Sequence, residues 1–339
     1  TISNSWKFAS SACRNRWIIS PYRIAVERYT TVTARFAHGS STLLHCGITF
    51  TKCSFSRDAV VSMNERGTRV KYVMVAAFDG WNDACQSATD VIRHLVSRYR
   101  SLEIGHINKD GYYDYQSARP MQCTIQGSRC ILWPQTVFYD IAVSDSLHIL
   151  AQLGPEPNYQ WLEYCRGSLR FAEQYDVECI VTLGSMLAEC PHTRPLPIDI
   201  SNNGKPLDPD YEYNGPIGIT HALDMMAIEQ GFNTTSLWVS IPRYLGSADP
   251  CPQATLTLLR ELGEILGLDL PAGTIENKAK QWRSRCDVTV RNNVDFEHFV
   301  SQLERDYDLH QHAKELSSAG TPMAEQLVQE AEAFLRDQD

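Results

Sequence analysis

The clearest pattern of apolar and polar positions lies between residues 72 and 99. Residues 72–78 form an unbroken apolar run, which is typical of a strand covered on both faces within a mostly parallel sheet. A polar turn follows at residues 79–83, and Asp83 and Gln86 have the spacing of a capping box, which predicts a helix that begins at Asp83. Apolar residues then recur at helical spacing: Ala84, Ala88, Val91, Ile92, Leu95 and Tyr99. The stretch therefore predicts the first strand and helix of a βαβ unit.

The same alternation continues along the chain. Strand-like runs cover residues 101–107, 121–126, 130–133, 137–143, 147–153, 177–183, 196–200 and 235–241, and helical stripes cover residues 161–172, 219–227 and 253–266. Beyond Pro271 the pattern becomes helical and highly charged. Alternating strands and helices predict an α/β fold with helices layered on a mostly parallel sheet, followed by a helical C-terminal appendage.

The first 62 residues differ in composition from the rest of the chain. They carry eight Lys or Arg residues and only two acidic residues, Glu27 and Asp58, which gives a net charge of +6. The rest of the chain carries 23 of the 31 basic residues and 38 of the 40 acidic residues, which gives a net charge of −15. Transit peptides have such a composition, and so does non-coding sequence translated upstream of a true start. We favour the second interpretation, because Met63 is the first methionine. We expect a leader at 1–62 that is non-native or disordered, an α/β core domain at 63–270 and a helical extension at 271–339.

Composition also limits the possible partners. No apolar run approaches the roughly 20 residues needed to span a bilayer, and the acidic excess argues against nucleic acid or an anionic membrane as partner. The 11 cysteines are scattered singly, which favours the reducing cytoplasm over a disulfide scaffold. The sequence has neither Cys-x-x-Cys nor His-Glu-x-x-His spacing, so we expect no metal site.

Polar side chains follow the first predicted strand, where open α/β sheets collect their ligands. These are Asp79, Trp81, Asn82 and Asp83. They fit a binding or catalytic site, but two structural interpretations fit equally: Asn82 or Asp83 caps the helix, and Trp81 fills a gap between layers.

A second loop carries His192 and Arg194 between two prolines, which hold it extended after the strand at 177–183. The pair fits binding of an anion or transfer of a proton. It also fits an ion-pair brace for the turn at residues 79–83, which we favour because paired buried charges often hold loops in place.

A third loop contains Gly215 and Gly218, with Pro216 at the expected first position of a helix. Such a helix start fits binding of phosphate or carboxylate, but the sequence signal is weak because the loop is neither the dinucleotide fingerprint nor a P-loop. In a parallel sheet all three loops meet at one edge. We therefore predict one candidate pocket, with no cofactor assigned, formed by Asp79, Trp81, Asn82, Asp83, His192, Arg194, Glu212, Gly215, Gly218 and His221.

Three motifs carry a resemblance to a known family. Ala-Ala-Phe-Asp-Gly-Trp-Asn-Asp-Ala at 76–84, Leu-Gly-Pro-Glu-Pro-Asn at 153–158 and Pro-His-Thr-Arg-Pro at 191–195 resemble the actinobacterial branch of the proteasome assembly chaperone 2 family. The resemblance covers about residues 63–307. Many members carry glycine where this chain has Cys85.

The resemblance implies a three-layer αβα arrangement similar to purine nucleoside phosphorylases, and a protein-binding or assembly factor that forms homo-oligomers and acts on proteasome subunits. Related chaperones dock through a C-terminal tail ending in a hydrophobic residue, tyrosine and any residue, whereas this sequence ends Arg336-Asp337-Gln338-Asp339. Contact through the α/β body is therefore expected.

The alternative is a small-molecule enzyme that uses the strand-end pocket, either hydrolase-like or phosphorylase-like, or a ligase of the ATP-grasp type by association. The sequence contains neither a Gly-x-Ser-x-Gly elbow nor a glycine-rich phosphate loop that would support this alternative.

We predict that residues 1–62 are dispensable for folding, because their charge and composition separate them from the core pattern. A chain that begins at Met63 is expected to keep the melting temperature of the full-length protein in calorimetry. A fall of several degrees, or insoluble expression, would show that the leader belongs to the domain.

Overall fold

The computed structural model describes residues 70–107, 110–125, 127–207, 214–246 and 250–318. The predicted leader at 1–62 and Glu212 lie outside the described residues, as do residues 319–339 of the predicted C-terminal extension. The described chain forms ten strands and six α-helices. The strands are β1 (Lys71–Asp79), β2 (Arg100–Ile107), β3 (Met121–Ile125), β4 (Ser128–Leu132), β5 (Thr136–Ala142), β6 (Leu147–Pro155), β7 (Val177–Ala188), β8 (Ile198–Asn202), β9 (Lys205–Pro206) and β10 (Asn233–Pro242). The helices are α1 (Ser87–Arg98), α2 (Trp161–Gln174), α3 (Ile219–Glu229), α4 (Pro252–Leu266), α5 (Ile275–Arg291) and α6 (Val294–Ser318).

Eight of the strands form one sheet in the order β2-β5-β6-β1-β7-β10-β8-β9. The four central strands, β6, β1, β7 and β10, are parallel, and the flanking pairs are antiparallel. The predicted α/β fold is confirmed, and the sheet is mixed, with its parallel pairings confined to the four central strands. Strand β1 lies in the middle and is buried from Tyr72 to Phe78 on both faces, as its unbroken apolar sequence predicts.

Helices cover both faces of this sheet, which gives three layers. Val73, Val75 and Ala77 of β1 belong to a core shared with α1, α4 and α5. The alternate side chains of β1 point to the opposite face, where Phe78 meets Tyr164 of α2 with ring centroids 6.1 Å apart. Helix α3 packs beside α2 against the central strands. The carboxyl ends of the parallel strands therefore lie at one edge between the two helical layers.

Strands β3 and β4 form a separate antiparallel hairpin within a compact unit that includes residues 115–134. Two residues separate the strands, and the second of them, Gly127, has a φ of +83°, a value that favours glycine in a tight hairpin turn.

The start of α1 differs from its prediction. The helix begins at Ser87 and not at Asp83, because a short 3-10 turn, Ala84–Gln86, intervenes. Cys85 and Gln86 have φ values of +56° and +59°, a left-handed conformation that interrupts any continuous helix. Glycine adopts this conformation without steric cost, so Cys85 holds a backbone geometry that would suit glycine better.

A carboxyl group lies inside the layer between α3 and the sheet. Asp224 of α3 is buried, and it accepts a hydrogen bond of 2.9 Å from the Thr182 hydroxyl of β7, which in turn lies 3.0 Å from the Ser236 hydroxyl of β10. Burial raises the pKa of Asp224 from 3.8 to about 7, and the two hydroxyls only partly oppose the shift.

We predict that Asp224 makes stability depend on pH. Between about pH 4 and pH 7 the folded carboxyl keeps a proton that the unfolded chain releases, so the free energy of unfolding falls as pH rises through this interval. Asp224→Asn removes the titration, and its melting temperature relative to the wild type is expected to increase from pH 4 to pH 8. Asp269→Asn, at an exposed carboxylate, is the control. Identical pH dependence in the wild type and Asp224→Asn would contradict the assignment.

Candidate functional site

The turn that follows β1 contains a completely buried amide side chain. Asn82 donates a hydrogen bond of 2.7 Å from Nδ2 to Oε1 of Glu156, and its Oδ1 accepts one of 3.2 Å from the Thr220 hydroxyl. Glu156 follows β6, and Thr220 lies in the first turn of α3. The amide of Asn82 therefore joins three segments that are far apart in the sequence.

Glu156 strengthens the same junction. Its Oε1 also accepts a hydrogen bond of 2.9 Å from the backbone N–H of Ile219, the first residue of α3, and its own N–H donates to the carbonyl oxygen of Asp79 at 2.8 Å. A carboxylate at a helix N-terminus is stabilised by the free N–H groups and by the helix dipole. We call the group formed by Asn82, Glu156, Gly218, Ile219 and Thr220 the edge network.

Gly218 is part of this network because nothing larger fits. A Cβ atom at position 218 would lie 1.7 Å from Oδ1 of Asn82, far inside van der Waals contact. The expected helix start at Pro216 is wrong, since α3 begins at Ile219. The anion position predicted at this helix start is occupied by the carboxylate of Glu156, which would repel a second anion.

Asp83 caps α1 from outside the helix. Its carboxylate accepts hydrogen bonds from the N–H of Ala88 at 2.7 Å, the N–H of Thr89 at 3.3 Å and the hydroxyl of Thr89. Ser185 of β7 lies 3.4 Å from the same carboxylate and donates to the carbonyl of Ala84 at 2.9 Å. Burial raises the pKa of Asp83 to about 6, although these hydrogen bonds oppose the shift. The carboxylate is fully engaged in holding the turn against β7 and α1.

The remaining residues of this turn face outward. The side chain of Trp81 is 62% exposed, so the interpretation that it fills a gap between layers is wrong. Asp79 and Gly80 are also exposed. The edge therefore combines a buried polar network with a large aromatic side chain on its surface.

His192 occupies a different environment. It is 2% exposed, with Nδ1 2.6 Å from the Tyr244 hydroxyl and Nε2 3.1 Å from Oδ1 of Asp287 on α5, and its backbone N–H donates to the same hydroxyl at 2.8 Å. Burial lowers the pKa of His192, although Asp287 opposes the shift. A neutral imidazole satisfies all three contacts when Tyr244 donates to Nδ1 and Nε2 donates to Asp287.

Arg194 extends this attachment to α6. Its Nε and Nη2 donate to the two carboxylate oxygens of Asp308 at 2.8 and 2.7 Å, and Nη1 lies 3.5 Å from Glu304. Arg194 therefore pairs with α6, and the expected brace between Arg194 and the turn at residues 79–83 is wrong. The side chains of Arg194 and Asp308 are 33% and 54% exposed, and ion pairs at such surfaces contribute little stability.

The predicted residues thus fall into two groups. The edge network joins the first and third loops through Asn82 and Gly218, whereas His192 and Arg194 tie the second loop to the C-terminal helices. Gly215 and His221 are exposed, and Glu212 lies outside the described residues. The reason for the separation is that α5 and α6 supply acidic partners for the second loop.

Sequence reasoning missed Glu156, although its position in Leu-Gly-Pro-Glu-Pro-Asn directly after an apolar strand was a usable signal. It also missed Tyr244 and Asp287. These residues lie 52 and 95 positions from His192, and no local pattern connects them to it.

A groove of about 360 Å³ lies beside the second loop and not at the edge network. Its lining residues are Arg194, Pro195, Leu196, Gln253, Thr257, Arg260, Glu261 and Arg283. The arginines already have partners: Asp308 for Arg194, Glu276 for Arg260 and the carbonyl of Thr193 for Arg283.

Among the described residues no cluster of three or more His, Cys, Asp or Glu side chains is placed to hold a metal ion. Within the same part of the chain, no helix has the length and apolar character needed to cross a membrane.

The chain is similar to a known protein family and to solved structures. Residues 77–290 match the model of the PAC2 family. A structure of a Mycobacterium tuberculosis proteasome-assembly chaperone homologue is 30% identical, with a TM-score of 0.61, and the match covers 67% of this chain and 99% of that chain. A PAC2 family protein from Streptomyces avermitilis is 32% identical, with a TM-score of 0.62, and the match covers 68% of this chain and all of the other. No curated protein matches the chain.

A more distant structure shares the fold alone. An archaeal proteasome activator from Pyrococcus furiosus is 12% identical, with a TM-score of 0.53, and the match covers 67% of this chain and 97% of that chain.

We predict that Glu156→Ala destabilises the protein by about 1–3 kcal/mol, because it leaves the buried Asn82 amide and the Ile219 N–H without an acceptor. Urea unfolding measures the loss. Glu178→Ala is the matched control, since Glu178 forms an exposed ion pair with Lys71 and its loss should have little effect. Equal stability of the two variants would contradict the role of the edge network as a structural junction.

Proposed function

Since the chain belongs to the PAC2 family, we propose that it is a protein-binding assembly factor of the proteasome assembly type that acts through its α/β body. The similarity to a structure described as a proteasome-assembly chaperone homologue supports this class of function, because the match spans 99% of that chain.

The observation that carries the proposal is a set of exposed apolar side chains on the segments that the edge network joins. Trp81 adjoins Asn82, Ile217 adjoins Gly218, and Tyr159 and Leu162 follow Glu156 within six residues. All four are exposed, from 47% for Ile217 to 64% for Leu162. We call these four residues the edge surface. Exposed aromatic and aliphatic side chains on a rigid support are typical of protein-binding sites.

The polar groups at the same edge support binding over catalysis. A general base or nucleophile needs a free atom directed at a substrate. The amide of Asn82 and the carboxylates of Asp83 and Glu156 instead accept or donate hydrogen bonds within the protein. Apart from the exposed Asp79, the edge offers a partner the apolar side chains described above.

The partners proposed are proteasome subunits and further copies of this chain, which would form a homo-oligomer. We place this activity in the cytoplasm. The cysteines are scattered singly along the chain, a pattern that favours a reducing compartment.

The double variant Trp81→Ala/Ile217→Ala tests the surface. We expect it to lose at least about tenfold in affinity for purified proteasome subunits of the same cell, because it removes two of the four exposed apolar side chains of the edge surface. Binding is measured by sedimentation of defined mixtures, which also reports the mass of the free protein. Incorporation of subunits into complete particles on native gels is measured in parallel.

The matched control is Trp133→Ala/Val288→Ala, which removes one exposed tryptophan and one exposed aliphatic side chain at positions that are 53% and 57% exposed. It should bind as the wild type does. Equal loss in both variants would reject the edge surface. A wild-type protein that neither binds proteasome subunits nor promotes their assembly would reject the proposed function.

A further inference from the structure

The hairpin of β3 and β4 brings two cysteines together. Cys123 and Cys130 are direct partners in the antiparallel ladder, and their Sγ atoms lie 2.8 Å apart. The thiol of Cys130 is also 3.7 Å from the carbonyl oxygen of Cys123 and can donate to it. The pair lies entirely within the unit that contains the hairpin, and it takes no part in the edge network.

The ladder geometry suits a covalent bond between the two sulfur atoms. Directly opposed residues of antiparallel strands have Cα atoms roughly 4.5–5.5 Å apart, which falls within the range of about 4.4–6.8 Å found for disulfides. The hairpin turn fixes this register, since the two strands are joined by two residues that include Gly127 in its left-handed conformation. No rearrangement of the backbone is therefore needed.

The exposure of the pair distinguishes it from most other cysteines. Cys123 and Cys130 are half-buried, whereas Cys85, Cys165, Cys190, Cys251 and Cys286 are buried. Burial raises the thiol pKa of Cys165, Cys190 and Cys251 to about 12 and that of Cys286 to about 11, which makes their thiolates scarce at neutral pH. The accessible thiols of the hairpin can be reached by a dissolved oxidant.

We propose that Cys123 and Cys130 form an oxidation site, at which a small-molecule disulfide of the glutathione class closes a reversible cross-strand disulfide bond. One cysteine loses its proton, and its thiolate attacks the oxidant, so that a mixed disulfide forms and one small thiolate leaves. The second cysteine thiolate then attacks the protein sulfur of the mixed disulfide and releases the second small thiolate. The protein loses two protons and two electrons, and the oxidant is reduced to two thiols.

Formation of this disulfide bond affects the hairpin and not the sheet of the α/β body. Closing so short a loop stabilises less than closing a long one, and it reinforces the register of β3 and β4 that the turn sets. A slip of one residue would reverse the faces that carry the exposed side chains of Ile131 and Leu132. Oxidation therefore reinforces which face of the hairpin carries Ile131 and which carries Leu132.

The experiment uses the full-length protein in glutathione buffers of stepwise increasing oxidised-to-reduced ratio. After acid quenching and alkylation with iodoacetamide, trypsin digestion without reductant and mass spectrometry identify the linked peptides. Cleavage after Arg129 places Cys123 and Cys130 in different peptides, so the bond is seen as one joined mass, and fragmentation distinguishes Cys130 from Cys165. The joined peptide is expected at a ratio at least about tenfold lower than the ratio that half-oxidises the half-buried Cys179.

Variants provide the controls. Cys123→Ser should abolish the joined peptide and leave Cys130 with a bound glutathione only at higher ratios, while Cys179→Ser should keep it. All thiols of the wild type are compared within one folded molecule, so a folding defect in a variant does not affect the main result. Mixed disulfides on both cysteines without the joined peptide, or oxidation no earlier than that of Cys179, would overturn the proposal.

Discussion

One completely buried amide, that of Asn82, determines how the carboxyl edge of the sheet is built. A buried amide without partners costs about 1–3 kcal/mol for each unsatisfied group, so its partners must be supplied by the fold. Glu156 comes from the end of β6 and Thr220 from the start of α3, and Gly218 leaves the space that the amide oxygen occupies. The parallel arrangement of β1 and β6 makes this possible, because both strands end at the same edge, with Asp79 opposite Pro155 in the register.

This constraint separates two roles within neighbouring residues. Asn82 and Asp83 face inward and hold β7, α1 and α3 in place, and Trp81 faces outward from the same turn. A side chain carried on a turn fixed in this way loses little further entropy when a partner binds, which favours affinity. The second loop is held independently, by His192 to Tyr244 and Asp287 and by Arg194 to α6. It connects the body to its C-terminal helices.

Local patterns predicted the elements well and the contacts between them poorly. The apolar run of β1 and the stripe of Ala88, Val91, Ile92 and Leu95 lie where periodicity placed them. Strand β7 continues beyond the predicted Leu183 to Ala188, because β10 pairs with it as far as Pro242. That extension depends on a neighbour about 50 residues away in the chain and leaves no mark in the local sequence.

The candidate site shows the same limit. Asp83 was recognised as a capping residue, but two left-handed residues displaced the helix that it caps. Glu156 and Asp287 became important only through tertiary contacts, and Arg194 found its acidic partner 114 residues away. A charge pattern shows that a residue needs a partner, whereas the fold decides which partner it meets.

Hydrogen–deuterium exchange of the protein with and without purified proteasome subunits tests the central claim most directly, namely that the edge surface is the face that binds another protein. The account predicts that amides around Gly80 and Trp81, Tyr159 to Leu162, and Ile217 exchange more slowly in the complex, because a bound partner shields these segments from water. Protection confined to α5 and α6, with the edge segments unchanged in a mixture that forms a complex, would contradict it.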